Sequence, residues 1–223
     1  MPVGRIELRD VTVRYGRQVA LQALSGAFAA GSLTAVVGAN GAGKSTLLGV
    51  IAGTIRPSAG EVVRPAQPLA YLPQITALDR GFPLTVAELI ALGGWRKFGA
   101  FRAANASLRE AAHAAAQTVG LTDHLHRRIG ELSAGQLQRA LFARLILQDA
   151  PVILLDEPFA AVDAETTCVL LDNIERWHRA GRTVIAVLHD FGLVRARFPA
   201  TLVLAGRCVA WGPTDAALAT AAA

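Results

Sequence analysis

The chain has 223 residues, 52% hydrophobic and 17% charged, with a formal net charge of +5. That length suits one domain, or one domain with an insertion, and the apolar share excludes a disordered chain, which would lack the surface to offset its ordering entropy. A mean hydropathy of +0.38 invites a membrane reading, but the longest charge-free stretch, Gln18–Gly43, is broken by Ser25, Gly26, Gly31, Ser32, Gly38, Asn40 and Gly41, so it makes no lipid-facing helix of about 20 residues. The opening Met1-Pro2-Val3-Gly4-Arg5 has no apolar core of a secretory signal. Cys168 and Cys208 make no disulfide framework, in keeping with a reducing compartment. The arginines are scattered along the chain, and a scattered basic excess reads as a solvated surface, with no nucleic-acid partner expected.

Along the chain, alternating Ile6, Leu8, Val11 and Val13 with a turn at Gly16 predict antiparallel strands. Leu33–Val37 is a short apolar strand, followed by a helix over Lys44–Ala52 that Gly53 closes. Pro57, Gly60, Pro65 and Pro68 predict a loop-rich return carrying a strand at Leu69–Leu72. From Gln74 to Gln148 helix dominates. Thr85-Val86-Ala87-Glu88 is a capping box opening an apolar stretch to Leu92, which Gly93-Gly94 ends. Arg102–Val119 is amphipathic, with Leu108, Ala111, Ala112, Ala115 and Val119 on one face. Ser133-Ala134-Gly135-Gln136 is a second capping box, heading a helix that Pro151 stops. Strand Val152–Leu155, helix Ala164–Ala180 and strand Thr183–Leu188 follow. A hairpin pairs Leu202–Ala205 with Cys208–Trp211, and Ala216–Ala223 reads as a fraying helix. A β/α lobe is thus split in sequence by a helical block.

Gly38-Ala39-Asn40-Gly41-Ala42-Gly43-Lys44-Ser45-Thr46 follows a buried strand and opens a helix, the setting of a P-loop. Its glycines let backbone N–H groups cradle phosphates at the helix N-terminus. Lys44 suits the β- and γ-phosphates, and the Ser45 hydroxyl suits Mg²⁺. Val152-Ile153-Leu154-Leu155 runs into Asp156-Glu157, as a central parallel strand buried on both faces does. Carboxylates at such a strand end sit where open α/β sheets bind ligands. Asp156 suits Mg²⁺ through water, and Glu157 suits polarising an attacking water. His189, one residue past the next apolar strand, emerges on the same edge and can hold that water and a γ-phosphate. His124-Leu125-His126 has no third ligand at useful spacing, so no metal centre is expected there.

Leu132-Ser133-Ala134-Gly135-Gln136 resembles the signature of the ATP-binding-cassette (ABC) ATPases, usually Leu-Ser-Gly-Gly-Gln, and lies between P-loop and acidic strand as in that family. The resemblance covers essentially the whole chain. It implies an α/β fold: a P-loop NTPase (RecA-like) core with an antiparallel β subdomain and an inserted α-helical subdomain. The core lobe would span about residues 1–74 and 149–223, and the helical subdomain about residues 75–148. It implies ATP and Mg²⁺ as cofactors. Tyr15 would stack on adenine, residues Gly38 to Thr46 would hold phosphates, and Ser45, Gln74 and Asp156 would serve Mg²⁺. Lys44, Gln74, Glu157 and His189 would form the catalytic set. Ser133, Gly135 and Gln136 would meet the γ-phosphate held by a second copy, with Asp163 in the loop crossing that dimer interface. Ala134 departs from the pattern: where that position needs a positive φ, alanine is strained.

The same resemblance bears on cargo. Asp156-Glu157-Pro158-Phe159-Ala160-Ala161-Val162-Asp163 is similar to the version in zinc and manganese importers. Asp79-Arg80-Gly81-Phe82-Pro83-Leu84-Thr85-Val86 is similar to that branch as well. Ala186-Val187-Leu188-His189-Asp190, with Trp211-Gly212-Pro213, fits a zinc subtype best. Zinc is therefore expected, ahead of manganese, then iron or haem. An exporter cassette and a soluble ABC protein of DNA repair or translation are the other readings. The importer reading implies membrane-spanning permease subunits and, indirectly, a periplasmic metal-binding protein. The chain would then sit peripherally on the cytoplasmic face of the bacterial inner membrane. The permease would dock near Gln74 and residues Ile75–Phe82, with Phe82 and Trp95 as candidate contacts or, alternatively, core residues.

Overall fold

The computed structural model describes residues 5–74, 80–98 and 106–222. Ile75–Asp79, part of the expected docking segment, and Arg102–Asn105, the expected start of a helix, lie outside the described residues. The chain divides into two units, and no described helix is long and apolar enough to cross a membrane.

The first unit takes the described residues of Met1–Tyr71, Pro151–Glu157 and Trp177–Ala223. Strands β1 (Ile6–Tyr15), β2 (Gln18–Phe28) and β4 (Ala59–Val63) form an antiparallel sheet in the order β2-β1-β4. The larger sheet uses β3 (Leu33–Val37), β5 (Leu69–Leu72), β6 (Val152–Asp156), β7 (Thr183–Val187), β8 (Ala200–Leu204) and β9 (Cys208–Pro213), ordered β5-β6-β7-β3-β8-β9. All five residues are buried in each of β3, β6 and β7, as parallel strands covered on both faces require. Pairing of β6, β7, β3 and β8 is parallel, whereas β9 closes one edge antiparallel. The register sets Asp156 beside Val187 and Val187 beside Val36. One edge of the sheet therefore carries Gly38, Glu157 and the segment leading to His189.

Helix α1 (Lys44–Ala52) buries Leu47, Leu48, Val50 and Ile51 in the core that also holds Val36, Leu154, Ile185, Val187 and Leu202. It ends at Gly53, whose φ of +82° lets the chain reverse while its N–H caps Gly49 and Val50. Strand β4 was not legible in the sequence. Its pattern is exposed or half-buried throughout, so it carries no alternation, and pairing with β1 alone reveals it.

The second unit takes the described residues of Leu72–Ala150 and Pro158–Arg176. It is helical, with α2 (Val86–Ala91), α3 (Trp95–Phe98), α4 (Ala106–Thr118), α5 (Ala134–Gln148) and most of α6 (Ala164–Arg179). Val86, Leu89, Ile90, Ala112, Ala115, Leu137, Ala140 and Leu141 are buried here. Gly93-Gly94 does not end the helical run: a 3₁₀ turn over Leu92–Gly94 hands α2 on to α3. A Cβ on Gly93 would lie 2.2 Å from the Arg144 carbonyl oxygen, so glycine serves close packing there. In the first unit, α7 (Phe191–Arg197) and α8 (Thr214–Ala222) complete the helices. Helix α7 is short and not among the expected elements; Asp190 caps it by accepting from the Leu193 N–H at 3.0 Å.

Candidate functional site

The turn from β3 to α1 is built on glycines that nothing else replaces. Gly38 has φ +156°, and a Cβ there would come within 2.1 Å of the Leu204 carbonyl oxygen. Gly43, the residue before α1, has φ +93°, and its Cβ would meet the Ala20 carbonyl oxygen at 2.5 Å. Among the described residues no side chain caps α1, and no acidic residue sits in its first turn. Its leading N–H groups thus have no side-chain acceptor there, the condition under which such a start can take an anion. Lys44 is only 6% exposed, and its ammonium donates back to the carbonyl oxygens of Gly38 and Ala39 at 2.8 and 2.9 Å. Burial lowers its pKa, against the opposing pull of Glu157 and Asp156. The lysine is held over the loop rather than released to solvent. Asn40, Gly41 and Ser45 are exposed, Ala42 is buried and Thr46 is half-buried.

Asp156 ends β6 at 1% exposure. Burial raises its pKa, while the Ser45 hydroxyl donates to it and lowers it. Its Oδ1 is buried with no partner among the described residues. A buried unpaired carboxylate oxygen is costly unless something supplies positive charge. Asp156 and Ser45 together offer the hard oxygen donors that Mg²⁺ takes. Glu157 follows with φ +51°, a left-handed backbone that is uncommon for a side chain of this size. Such conformations persist where surrounding structure imposes them, often at working sites. His189 Nε2 and Glu157 Oε1 are 2.6 Å apart, with the imidazole about half exposed.

The second unit holds the other candidates. Ser133 caps α5: its hydroxyl accepts from the Gln136 N–H at 3.1 Å, and its own N–H donates to Gln136 Oε1 at 2.9 Å. Ala134 opens α5 and is not among the residues with positive φ. The departure from the signature pattern therefore introduces no strain. The steric demand falls one residue later, where a Cβ on Gly135 would lie 2.6 Å from the Ala161 carbonyl oxygen. Asp163 caps α6, accepting from the Thr166 N–H at 2.8 Å and from its hydroxyl at 3.0 Å, and both bonds lower its pKa. Gln74 is half-buried just past β5.

Tyr15 is 52% exposed at the β1–β2 turn, in the first unit, and Phe82 and Trp95 are 58% and 55% exposed in the second. Sequence reasoning missed two neighbours of the signature. Arg80 donates to the Leu132 carbonyl oxygen at 2.6 Å, and His124 Nε2 lies 2.8 Å from Gln136 Nε2. Neither contact has a sequence signal, since the partners are 52 and 12 residues apart.

Residues 21–160 match the sequence profile of the family described as ABC transporter. The manganese transport system ATP-binding protein MntB of Listeria monocytogenes is 36% identical over 217 residues, covering 94% of this chain and 90% of that protein. The zinc transport system ATP-binding protein TroB of Treponema pallidum is 34% identical over 214 residues, covering 93% and 80%. Among solved structures, a transporter assigned to the metal-chelate type, in an inward-facing conformation, superposes with a TM-score of 0.80 at 28% identity, over 95% of this chain and 84% of that one. A dimeric bacterial ABC cassette shares the fold at a TM-score of 0.84 and 24% identity, over 94% and 98%. The α/β sheet, its P-loop and the family match agree: this chain belongs to the ABC transporter family, as the ATPase cassette that binds ATP.

Proposed function

We propose that the chain is the ATP-hydrolysing subunit of a binding-protein-dependent importer of a divalent transition metal, zinc, acting as a nucleotide-sandwich dimer. The observation that carries the ATPase half is the sheet edge that unites the P-loop, the Asp156 oxygen left without a partner among the described residues, and the Glu157–His189 pair. The metal half is supported by relatives named for manganese and zinc transport and by the sequence phrases around Arg80 and Phe159. Manganese is the second reading, favoured by the 36% identity to the manganese-named relative.

Phosphoryl transfer asks a protein mainly for positioning and charge stabilisation. Gly38 to Thr46 bind the phosphates through backbone N–H groups, and Lys44 neutralises the β/γ end. Ser45 and Asp156, with Gln74 as the family resemblance implies, would hold Mg²⁺, which would offset phosphate charge. Glu157 takes the proton of the attacking water, and His189 holds Glu157 in place through the 2.6 Å bond. Tyr15 stacks on adenine. In the dimer, Ser133, Gly135 and Gln136 of one copy face the γ-phosphate bound by the other, where the α5 dipole favours the anion, and Asp163 lies in the loop that crosses the interface. The described chain spans no membrane by a helix; it docks peripherally on permease subunits at the cytoplasmic face of the inner membrane, with Phe82 and Trp95 as apolar contacts near Gln74. Through the permease it serves a periplasmic metal-binding protein.

Deletion of the gene should impair growth in a zinc chelator, with added zinc restoring it. Normal growth in chelator together with failure in low manganese would move the cargo to manganese and leave the ATPase reading in place. Gln74→Ala should keep ATP binding but lose the stimulation of hydrolysis by loaded binding protein in the reconstituted complex. An unchanged stimulation ratio would remove Gln74 from coupling.

A further inference from the structure

We infer that His124 is a positioning residue for the signature: as a neutral imidazole protonated on Nδ1, it accepts a hydrogen bond from the Gln136 side chain and thereby holds the Ser133 capping box in one geometry. The inference rests on the proposal that Ser133, Gly135 and Gln136 serve a nucleotide bound by a second copy.

The protonation state follows from donor and acceptor logic. The Ser133 backbone N–H can only donate, so the Gln136 atom 2.9 Å away is the amide oxygen. That fixes which way the amide points and leaves its NH₂ group, which can only donate, 2.8 Å from His124 Nε2. The imidazole nitrogen must then be an acceptor, and a neutral ring that accepts at Nε2 carries its proton at Nδ1. His124 Nδ1 is buried without a partner among the described residues. The ring thus gives up a partner on one nitrogen while the other serves Gln136. Leaving that buried N–H without a partner costs free energy, so the tautomer is set by the fixed Gln136 amide and not by Nδ1.

The backbone around His124 explains how the ring is held. The Arg127 N–H donates to the His124 carbonyl at 2.9 Å, and the His124 N–H donates to Leu121 at 3.0 Å. The same turn is tied to the start of α2 by bonds from the Val86 and Ala87 N–H groups to the Arg127 and Leu125 carbonyls, each 3.0 Å. From the same segment of the unit, Arg80 grips Leu132, the residue before Ser133. His124 consequently acts on Gln136 from a braced turn. With its Oε1 and Nε2 both engaged, Gln136 keeps one rotamer, and the Ser133 hydroxyl, accepting from the Gln136 N–H, keeps its own proton free to face an anion.

Two measurements on the full chain test this. The first uses ¹⁵N-labelled histidine in the wild-type protein, with His124 assigned by the signals lost in His124→Gln. Nuclear magnetic resonance should find the His124 proton on Nδ1 and an acceptor nitrogen at Nε2. A proton on Nε2 would set two donors against each other and overturn the inference, whatever the variants do. The second measures ATPase rate against chain concentration, with nucleotide affinity measured separately. His124→Phe keeps the ring shape but removes the acceptor. It should raise the chain concentration for half-maximal rate about two- to tenfold, the worth of one net hydrogen bond, with ATP affinity unchanged. His124→Gln, which presents an amide oxygen, should restore most of the loss. A wild-type response in His124→Phe, a fall in ATP affinity, or a glutamine variant no better than phenylalanine would each overturn the inference. Ser133→Arg is run beside them. If it leaves the rate untouched, the in-trans signature reading itself fails; if it abolishes the rate while His124→Phe is silent, only the role of His124 fails.

Discussion

Helices α1 and α5 each begin where the site reading places a phosphate, yet their first turns are finished in opposite ways. The α1 terminus starts from Gly43 in a left-handed conformation and has no side-chain cap among the described residues. The α5 terminus starts from Ser133 and is closed by a reciprocal box with Gln136. A helix start has four backbone donors without intrahelical partners, and a capping box satisfies two of the donors around it. The α1 end therefore leaves its leading donors without a side-chain acceptor among the described residues, whereas the α5 end has part of its set met by its own chain. What α5 brings to an anion is its dipole and the Ser133 hydroxyl, set in advance, while α1 brings open donors and a buried lysine. Under the proposed function, the first end binds phosphate and the second positions what meets it.

The largest expected effect separates those two jobs. Glu157→Gln keeps the shape of the side chain and removes the carboxylate that takes a proton, so ATPase should fall by about 10²–10⁴. ATP should still raise the melting temperature, because the α1 donors and Lys44 are untouched, and size-exclusion chromatography with ATP should detect a closed dimer. Adding Ser133→Arg should remove the dimer and keep the ATP-induced thermal shift. A dimer that survives would break the contrast between the two helix ends.

Next comes the steric demand beside the cap. Gly135→Ala drives a methyl into the Ala161 carbonyl oxygen and should destabilise the fold by about 1–3 kcal/mol, as overpacking does. Chemical denaturation of the purified chain reads this directly. Ala134→Gly, which restores the more common signature residue, should instead cost about 0.5–1 kcal/mol, because a helical alanine is replaced by a more flexible residue. A gain in stability would mean that Ala134 is strained after all.

The smallest effect compares the two capping boxes of the helical unit. Thr85 and Glu88 close α2 as Ser133 and Gln136 close α5, but Glu88 carries a charge. The Thr85 N–H and hydroxyl hold its carboxyl below the usual carboxylate range. A depressed folded-state pKa means stability that is fully present above the unfolded value and lost as pH falls through the folded one. Melting temperatures of wild type and Glu88→Gln should thus differ slightly near neutrality and converge in acid. A difference that is constant with pH would assign the α2 cap to geometry alone. Exposure of the pair keeps the effect small.

Much of this molecule was legible in local spacing. The P-loop, both capping boxes and the buried strand before Asp156 are patterns of neighbours one to five residues apart, and covalent geometry turns such spacings into structure. Strand β4 was illegible because its side chains stay exposed or half-buried, and α3 because glycine punctuates a helix in sequence even when close packing is its real use. The concern over Ala134 pointed at the right turn and the wrong residue: the constraint lies at Gly135, imposed by a carbonyl 26 positions along the chain.

The sequence by itself determined which chemical groups this protein possesses and in which local frames they sit: a glycine turn before a helix, a serine at a helix start, two carboxylates after an apolar run. Those depend on backbone torsions and on the 3.6-residue period, which act over a few residues. Only the tertiary structure decided which of them meet. Parallel register of β6, β7 and β3 brings three strand ends to one edge, packing leaves an oxygen of Asp156 without a partner among the described residues, and a braced turn delivers His124 to Gln136. Such contacts join residues far apart in the chain, so they are set by burial and hydrogen-bond satisfaction across the fold, and no local pattern encodes them.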